Sequence, residues 1–270
     1  MSPTRLLTLL AWSLPPLVLL ALMLGPVLIS PASLLRVALE QMGAITNVGV
    51  GPQEGLILFS IRVPRVLLAG LVGVCLAVCG TAMQGLFRNP LADPSLIGVS
   101  SGASAGASLM IVMGGGVLLQ GGQLAGLSVI ALGAFTGGFL AVLLVYRLAT
   151  STTGTSVATM LLAGIAISAL AGALNSLFMF IADDEMLRRI SLWQMGSLDA
   201  ANWPRVWIAA GAVAIVMTLL PRDAAALNAF LLGESEARHL GIAVDAVKRR
   251  LILLTAMAIV WVLRYAAKVR

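Results

Sequence analysis

Charge is scarce in this sequence of 270 residues. Asp, Glu, Lys and Arg together make up 10% of the chain, against about 25% in soluble domains. Hydrophobic residues make up 60%, and the mean hydropathy is +1.03. This composition excludes a soluble globular domain and an intrinsically disordered chain. Two cysteines in so long a chain exclude a disulfide-stabilised secreted scaffold. The sequence therefore indicates a membrane protein with several spans.

Side chains that would support catalysis are equally few. The one histidine, His239, has no second histidine or cysteine nearby in the sequence to share a metal. Cys75 and Cys79 lie one helical turn apart in an apolar stretch, and we interpret them as small packing residues. No G-x-x-x-x-G-K-[ST] motif occurs, so any ATP hydrolysis would be the work of another polypeptide. We therefore expect no enzyme activity, no cofactor and no bound metal.

The acidic residues avoid the apolar stretches, since all 11 of them fall in predicted loops or at the ends of spans. Secondary transporters and proton pumps usually keep ionisable groups at mid-membrane. That class is therefore disfavoured, although carbonyls and hydroxyls could still bind Na⁺. The formal net charge of +6 comes from basic residues that we place beside anionic lipid headgroups. We expect no nucleic-acid partner, because no basic run with interleaved aromatics occurs.

A membrane-crossing helix needs about 20 apolar residues, so the charge-free stretches predict the spans. These stretches lie near residues 6–29, 66–87, 95–113, 123–146, 156–181 and 203–220, with an incomplete seventh at 251–263. A glycine-rich turn at 114–122 separates the third span from the fourth. We expect an all-α fold, a polytopic transmembrane helix bundle that forms one domain over residues 1–270. A slight excess of basic residues on one side places the N-terminus and the loop 221–250 in the cytoplasm.

The segment Arg62-Val63-Pro64-Arg65 directly precedes the second span. Its proline stiffens the backbone and favours an extended conformation in the residue before it. The two arginines have two interpretations. They are either interfacial anchors that reach the lipid headgroups or a paired guanidinium site for carboxylates on a partner.

Two further polar segments interrupt the apolar pattern. Residues 84–94 contain two prolines that end one helix, and Asp93 or Ser95 can cap the next, so composition alone predicts a tight turn. In the cytoplasmic loop, glycines bracket a short predicted helix at 232–241. That helix is either a plain surface helix or a handle for a soluble partner.

Taken in order, these segments form a specific pattern. The motifs are R-V-P-R at 62–65, Q-G-L-F-R-N-P-L-A-D-P-S-L-I-G-V-S-S-G-A at 84–103, L-L-A-G-I-A-I-S-A at 161–169, W-Q-M-G-S-L at 193–198 and L-G-E-S-E-A-R-H-L-G at 232–241. The pattern resembles the FecCD family, the permease subunits of ABC importers for iron siderophores, haem and cobalamin. The resemblance extends from about Arg62 to Arg250.

The resemblance implies a homodimer of ten-helix subunits in the bacterial inner membrane, with a translocation path at the dimer interface. A periplasmic substrate-binding protein would dock outside, and two ATPase subunits would bind inside. The expected function is import of an iron chelate (ferric siderophore or haem) or cobalamin by alternating access. A secondary transporter or channel, and a non-transporting permease remnant, remain as alternatives. The sequence does not indicate which chelate is moved, because selectivity in the family rests largely with the binding protein.

Individual roles follow from the resemblance, motif by motif. Arg62 and Arg65 match the arginines that meet carboxylates of the binding protein. The residues that match the ATPase coupling helix are Leu232, Gly233, Glu234, Glu236, Ala237, Leu240 and Gly241. The residues that match the translocation path and its motif are Gln84, Asn89, Pro90, Leu91, Pro94, Gly98, Ser100, Gly102, Ala103 and Gly164. The third span, Ser95 to Val112, and the fifth, Leu161 to Leu177, would line part of the path.

The end of the chain departs from the family pattern. In the family, a segment of the form G-x-I-x-F-x-G-L-x-x-P-H and three more crossings follow the coupling loop. Here Ala258 to Tyr265 leads into a basic tail instead. We therefore expect about seven of the ten family spans, and little or no transport by this chain alone.

Overall fold

The computed structural model describes residues 2–41, 52–114, 123–152, 154–199 and 201–266, and these ranges are almost entirely helical. The helices are α1 (Pro3–Met23), α2 (Pro31–Gln41), α3 (Pro52–Leu56), α4 (Val63–Phe87), α5 (Val99–Met113), α6 (Gln123–Ala149), α7 (Val157–Ile181), α8 (Asp184–Met195), α9 (Trp203–Leu219), α10 (Ala224–Phe230), α11 (Glu234–His239) and α12 (Val244–Ala266). Two short strands, β1 (Thr150–Ser151) and β2 (Gly154–Thr155), pair antiparallel between α6 and α7. The predicted all-α class is confirmed.

Within the described ranges, five helical stretches are long and apolar enough to cross a membrane. They are Thr4–Met23, Gln53–Phe87, Val129–Ala149, Val157–Ile181 and Trp203–Phe230. Helix α5 is apolar but shorter, at 15 residues, or about 22 Å. The predicted seventh stretch, 251–263, lies inside the 23-residue α12. Five apolar stretches of this length make the chain a multi-pass membrane protein.

The first two predicted spans differ from the helices in their ends. Helix α1 stops at Met23, because Gly25 and Pro26 follow, and α2 begins at Pro31. The second span begins earlier than predicted. A π-helical turn, Ile57–Arg62, joins α3 to α4 and gives one apolar stretch from Gln53 to Phe87.

By its internal contacts the chain divides into two compact units. Whether the transmembrane part forms a single domain stays a prediction. The first unit comprises Met1–Gly70 with Ala200–Val206, and the second comprises Leu71–Asp199 with Trp207–Arg270. In the first unit, Ile29, Val37 and Leu58 form a small buried cluster.

In the second unit, α5 and α6 approach each other closely enough for their backbones to touch. A Cβ atom added to Gly106 would lie 3.0 Å from the Cα of Gly137, and one added to Gly102 would lie 2.6 Å from the carbonyl oxygen of Gly137. Small residues permit this approach because they hold no bulky side chain between the two backbones. Close packing matters here because apolar side chains gain little free energy when they leave lipid, so the hydrophobic effect does not hold the helices together. Cys75 and Cys79 are fully buried in the larger core of this unit, which confirms their interpretation as packing residues.

The turns that could be predicted are largely as expected. Asp93 accepts a hydrogen bond from the backbone of Ser95 at 2.8 Å, but it caps a short 3-10 turn, Pro94–Ile97, and not the long helix that follows. The next helix begins after Gly98, whose φ of 77° lies in the left-handed region. Gly114 ends α5, whereas residues 115–122 of the predicted glycine-rich turn and residues 267–270 of the basic tail lie outside the described residues.

Candidate functional site

A cavity of about 620 Å³ opens in the second unit between α5, α7 and α8. The residues that line it are Ser100, Ser101, Ser104, Gly172, Asn175, Ser176, Met179, Trp193, Gln194, Met195 and Gly196. Hydroxyl and amide groups dominate its polar surface, and none of these described lining residues carries a charge. Such a surface can exchange hydrogen bonds with a passing solute without holding an ion in place. Among the described residues, no group of three or more His, Cys, Asp and Glu side chains could bind a metal.

Asn175 connects two walls of this cavity. Its Nδ2 donates to Ser104 Oγ at 3.0 Å, and its Oδ1 accepts from Ser108 Oγ at 2.7 Å. Ser108 is almost completely buried, whereas Ser104 and Asn175 are half-buried at the cavity, and both amide atoms of Asn175 tie α7 to α5. Sequence reasoning missed this residue. An asparagine inside the apolar run of α7 was the available signal, because a polar side chain in a span usually faces another helix.

The residues predicted for the translocation path occupy different environments. Ser100 is the member of that set that lines the cavity. Gly102 and Ala103 are buried, with Gly102 against α6. Gly164, on α7, faces the carbonyl oxygen of Leu96 so closely that an added Cβ would overlap it. These glycines set how closely α5 packs on α6 and how closely α7 packs on the turn before α5.

The remaining residues of the set lie at or near the turn between α4 and α5. Gln84, Asn89, Pro90 and Leu91 are exposed there. Pro94 and Gly98 are buried. The set therefore includes both surface residues and packing residues, and its assignment to the path stays a prediction.

The segment predicted to couple to an ATPase forms a short helix, α11, bracketed by two glycines in left-handed conformations. Gly233 has a φ of 119° and Gly241 a φ of 81°, as the glycine pattern predicted. Leu232, Glu236, Leu240 and Gly241 are exposed, Gly233 and Glu234 are half-buried, and Ala237 is completely buried. The exposed leucines on either side of α11, Leu232 and Leu240, are typical of a binding surface for a partner.

Arg62 points inward in the first unit, with 8% of its surface exposed. Its Nη1 donates to the carbonyl oxygens of Leu22 at 2.5 Å and Met23 at 2.9 Å, and its Nη2 donates to that of Val27. The guanidinium therefore satisfies carbonyls at and beyond the end of α1, which lack partners within that helix. Arg65 is half-buried. In this structure Arg62 is not presented to a partner protein, and the docking role of both arginines stays a prediction.

Known proteins similar to this chain are transport proteins. The model of the FecCD transport family matches residues 10–266. The hemin transport system permease protein of Yersinia pestis is 45% identical over 200 residues, which are 74% of this chain and 58% of that protein. The cobalamin import system permease protein of Halobacterium salinarum is 38% identical over 209 residues, which are 77% of this chain and 54% of that protein. The chain thus spans just over half the length of these curated relatives.

A solved structure agrees with these matches. It is described as an inward-facing conformation of a transporter assigned to the metal-chelate ABC type. The TM-score is 0.78 at 26% identity, and the alignment covers 99% of this chain and 77% of that chain. Because the family model spans nearly the whole sequence and the helices superpose on such a transporter, the chain belongs to the FecCD transport family.

Proposed function

We propose that this chain is the membrane-spanning permease subunit of an ABC importer that moves an iron chelate (ferric siderophore or haem) or cobalamin from the periplasm to the cytoplasm. The observation that carries the proposal is the cavity among the helices of a FecCD-family chain, whose lining is uncharged and includes four serines. A large polar chelate needs a passage that offers hydrogen bonds but no strong binding site, because tight binding would slow its release.

The partners in this proposal follow from the family. Two ATPase subunits, which supply ATP hydrolysis, would bind α11 on the cytoplasmic side. A periplasmic binding protein would dock on the outer side, at Arg65 and its neighbours. A second copy of the chain would complete a homodimer in the inner membrane. Exposed apolar side chains along α7, among them Leu162, Ile165 and Phe180, provide a surface for lipid or for that second copy.

Uptake in a permease-deletion strain tests the substrate class. The gene would be expressed with its natural flanking sequence, its ATPase and its binding protein, and radiolabelled haemin, a ferric siderophore and cobalamin would be offered separately. We expect accumulation of one of the three, and loss of uptake when the catalytic lysine of the ATPase is replaced.

Two other outcomes would contradict the proposal. Accumulation that continues with the inactive ATPase would indicate a secondary transporter or channel. Co-purification with the ATPase without uptake of any of the three substrates would indicate a non-transporting remnant.

A further inference from the structure

Lys248 is completely buried near the beginning of α12. Burying its charge carries a desolvation cost that polar partners must offset. Its Nζ forms an ion pair with Glu234 Oε2 at 2.6 Å and donates a hydrogen bond to the carbonyl oxygen of Thr155 at 2.5 Å. Glu234 belongs to the first turn of α11, and Thr155 belongs to β2. One ammonium group therefore joins three elements of the second unit.

A second residue of α12 repeats this arrangement one turn earlier. Asp245 Oδ1 accepts a hydrogen bond from the backbone nitrogen of Thr155 at 2.9 Å, and its Oδ2 lies 3.7 Å from Arg238 Nη2. Arg238 belongs to the last turn of α11. Asp245 and Lys248 are three residues apart and so share a face of α12. Together they hold both backbone groups of Thr155 and both ends of α11.

The position of Thr155 connects this cluster with the cavity. One residue, Ser156, separates it from α7, and the Ser156 hydroxyl caps that helix by accepting from the backbone of Thr159 at 3.3 Å. Further along α7, Asn175, Ser176 and Met179 line the cavity. Thr155 therefore lies directly before the helix whose later turns form one cavity wall.

Stability alone does not account for the buried ion pair. Apolar residues of similar volume often stabilise a protein as well as a buried ion pair does, because burying charge carries a large desolvation cost. An apolar side chain could not bind a carboxylate of α11 and a carbonyl of β2 at the same time. Lys248 thus connects α12 with both α11 and β2, which an apolar residue could not do.

We propose that Lys248, assisted by Asp245, is a positioning residue that makes α11, β2 and the start of α7 move as one body. This inference rests on the proposed function, in which an ATPase displaces α11. The link would transmit that displacement to the cavity wall. The Glu234–Lys248 pair is its main connection, because the Arg238–Asp245 pair is half-exposed and therefore weak.

The first test measures the link itself and needs no transport. Spin labels would be placed at Thr152 and Ser235, which are both exposed, while the buried Cys75 and Cys79 stay unlabelled. With the ATPase bound, we expect a narrow distribution of the distance between the two labels, and we expect it to be the same with and without ATP. Lys248→Met and Glu234→Gln should broaden it. The control is Glu185→Gln, which breaks an exposed ion pair with Arg189 on α8.

The second test uses the complete transporter and measures ATP hydrolysed per substrate molecule imported. We expect Lys248→Met and Glu234→Gln to raise this ratio by about tenfold, the size of a typical coupling between sites. For Lys248→Met, whose buried side chain lies on α12 outside the predicted ATPase-binding segment, the rate of ATP hydrolysis and the amount of assembled complex should stay as in the Glu185→Gln control. A purely structural role would lower the amount of complex and leave the ratio unchanged. Glu234→Gln keeps the side-chain shape and carries the test if Lys248→Met fails to accumulate; it is compared by the ratio alone, because Glu234 belongs to the predicted ATPase-binding segment.

The outcomes separate this inference from the proposed function. If the unaltered chain imports nothing but the distance results hold, the link stands and the proposed function fails. If the unaltered chain imports substrate and the variants leave the ratio unchanged, the link transmits nothing and the inference is wrong, whatever the distances show.

Discussion

At the scale of single residues, the position of a side chain in the sequence did not reveal what it faces. The R-V-P-R motif predicted an arginine at the membrane boundary, and Arg62 does precede the long apolar α4. Its partners, however, are carbonyls 35 to 40 residues earlier in the chain. An arginine offers five donors, enough to satisfy several carbonyls at once. Gly25 leaves the space, since an added Cβ would lie 2.8 Å from Arg62 Nη2.

We predict that Arg62→Leu destabilises the first unit. Leucine leaves the carbonyls of Leu22, Met23 and Val27 without these hydrogen bonds, at a cost of about 3 kcal/mol in the free energy of unfolding. The melting midpoint in detergent, followed by tryptophan fluorescence, should fall. Arg36→Leu removes an exposed arginine of the same unit and should leave the midpoint unchanged. A normal midpoint with lost capture of the binding protein would instead support a docking role for Arg62.

We predict that Gly164→Ala is also destabilising. The new methyl group would overlap the Leu96 carbonyl and force α7 away from the turn before α5, which costs about 1–3 kcal/mol in a well-packed interior. The matched control is Gly172→Ala on the same helix, where an added Cβ meets nothing within 4 Å. Equal melting midpoints for the two variants would show that this contact does not exist in the folded protein.

At the scale of elements, the length of apolar runs predicted most of the helices. Helix α7, Val157–Ile181, agrees with the predicted 156–181, because its ends are marked by polar residues. Apolar length could not predict the π-helical turn Ile57–Arg62, since that turn differs from an α-helix only in its hydrogen bonds. It also missed α8, whose mixed composition resembles a loop although Asp183 caps it by accepting from the backbone of Met186 at 2.8 Å.

Less of the candidate site could be predicted from the sequence, because only its local features leave a signal there. Motifs located α11 and its two glycines, because backbone conformation leaves a local signature in the sequence. The partners of Lys248 and Asn175 leave none. The carbonyl that Lys248 binds is 93 residues away, and the serine hydroxyls that bind Asn175 are 67 and 71 residues away. Such pairs depend on how helices pack, which no single stretch of sequence specifies.

We predict that Asn175→Leu loosens the attachment of α7 to α5. Loss of both hydrogen bonds should cost about 1 kcal/mol, the order measured for interhelical polar contacts in membranes. The melting midpoint should fall slightly, and uptake should fall because one wall of the cavity shifts. Thr218→Ala is the control, since that hydroxyl lies outside the cavity lining and donates to Ala214 within its own helix at 2.9 Å. Identical uptake by the two variants would contradict a specific role for Asn175.

At the scale of the whole molecule, the separation of polar from apolar surface fits the proposed transport function. In the second unit, the outward side of α7 is apolar, while its other side presents hydroxyl and amide groups to a cavity whose described lining bears no charge. Ion-coupled transporters usually place ionisable groups in such a cavity. Without such groups in the cavity, the energy for directional movement of a solute would have to be supplied at another part of the protein. In the proposed function, α11 and its connection through Lys248 to the start of α7 would provide a route for that energy.

The most direct test of this account is to ask which energy source drives uptake. The gene product, expressed with its flanking sequence, would be reconstituted into proteoliposomes with its ATPase and binding protein, and import of the chelate would be measured with ATP or with an imposed ion gradient. The account predicts import that requires ATP and continues when an ionophore collapses all gradients. Import driven by the gradient alone and abolished by the ionophore would contradict it.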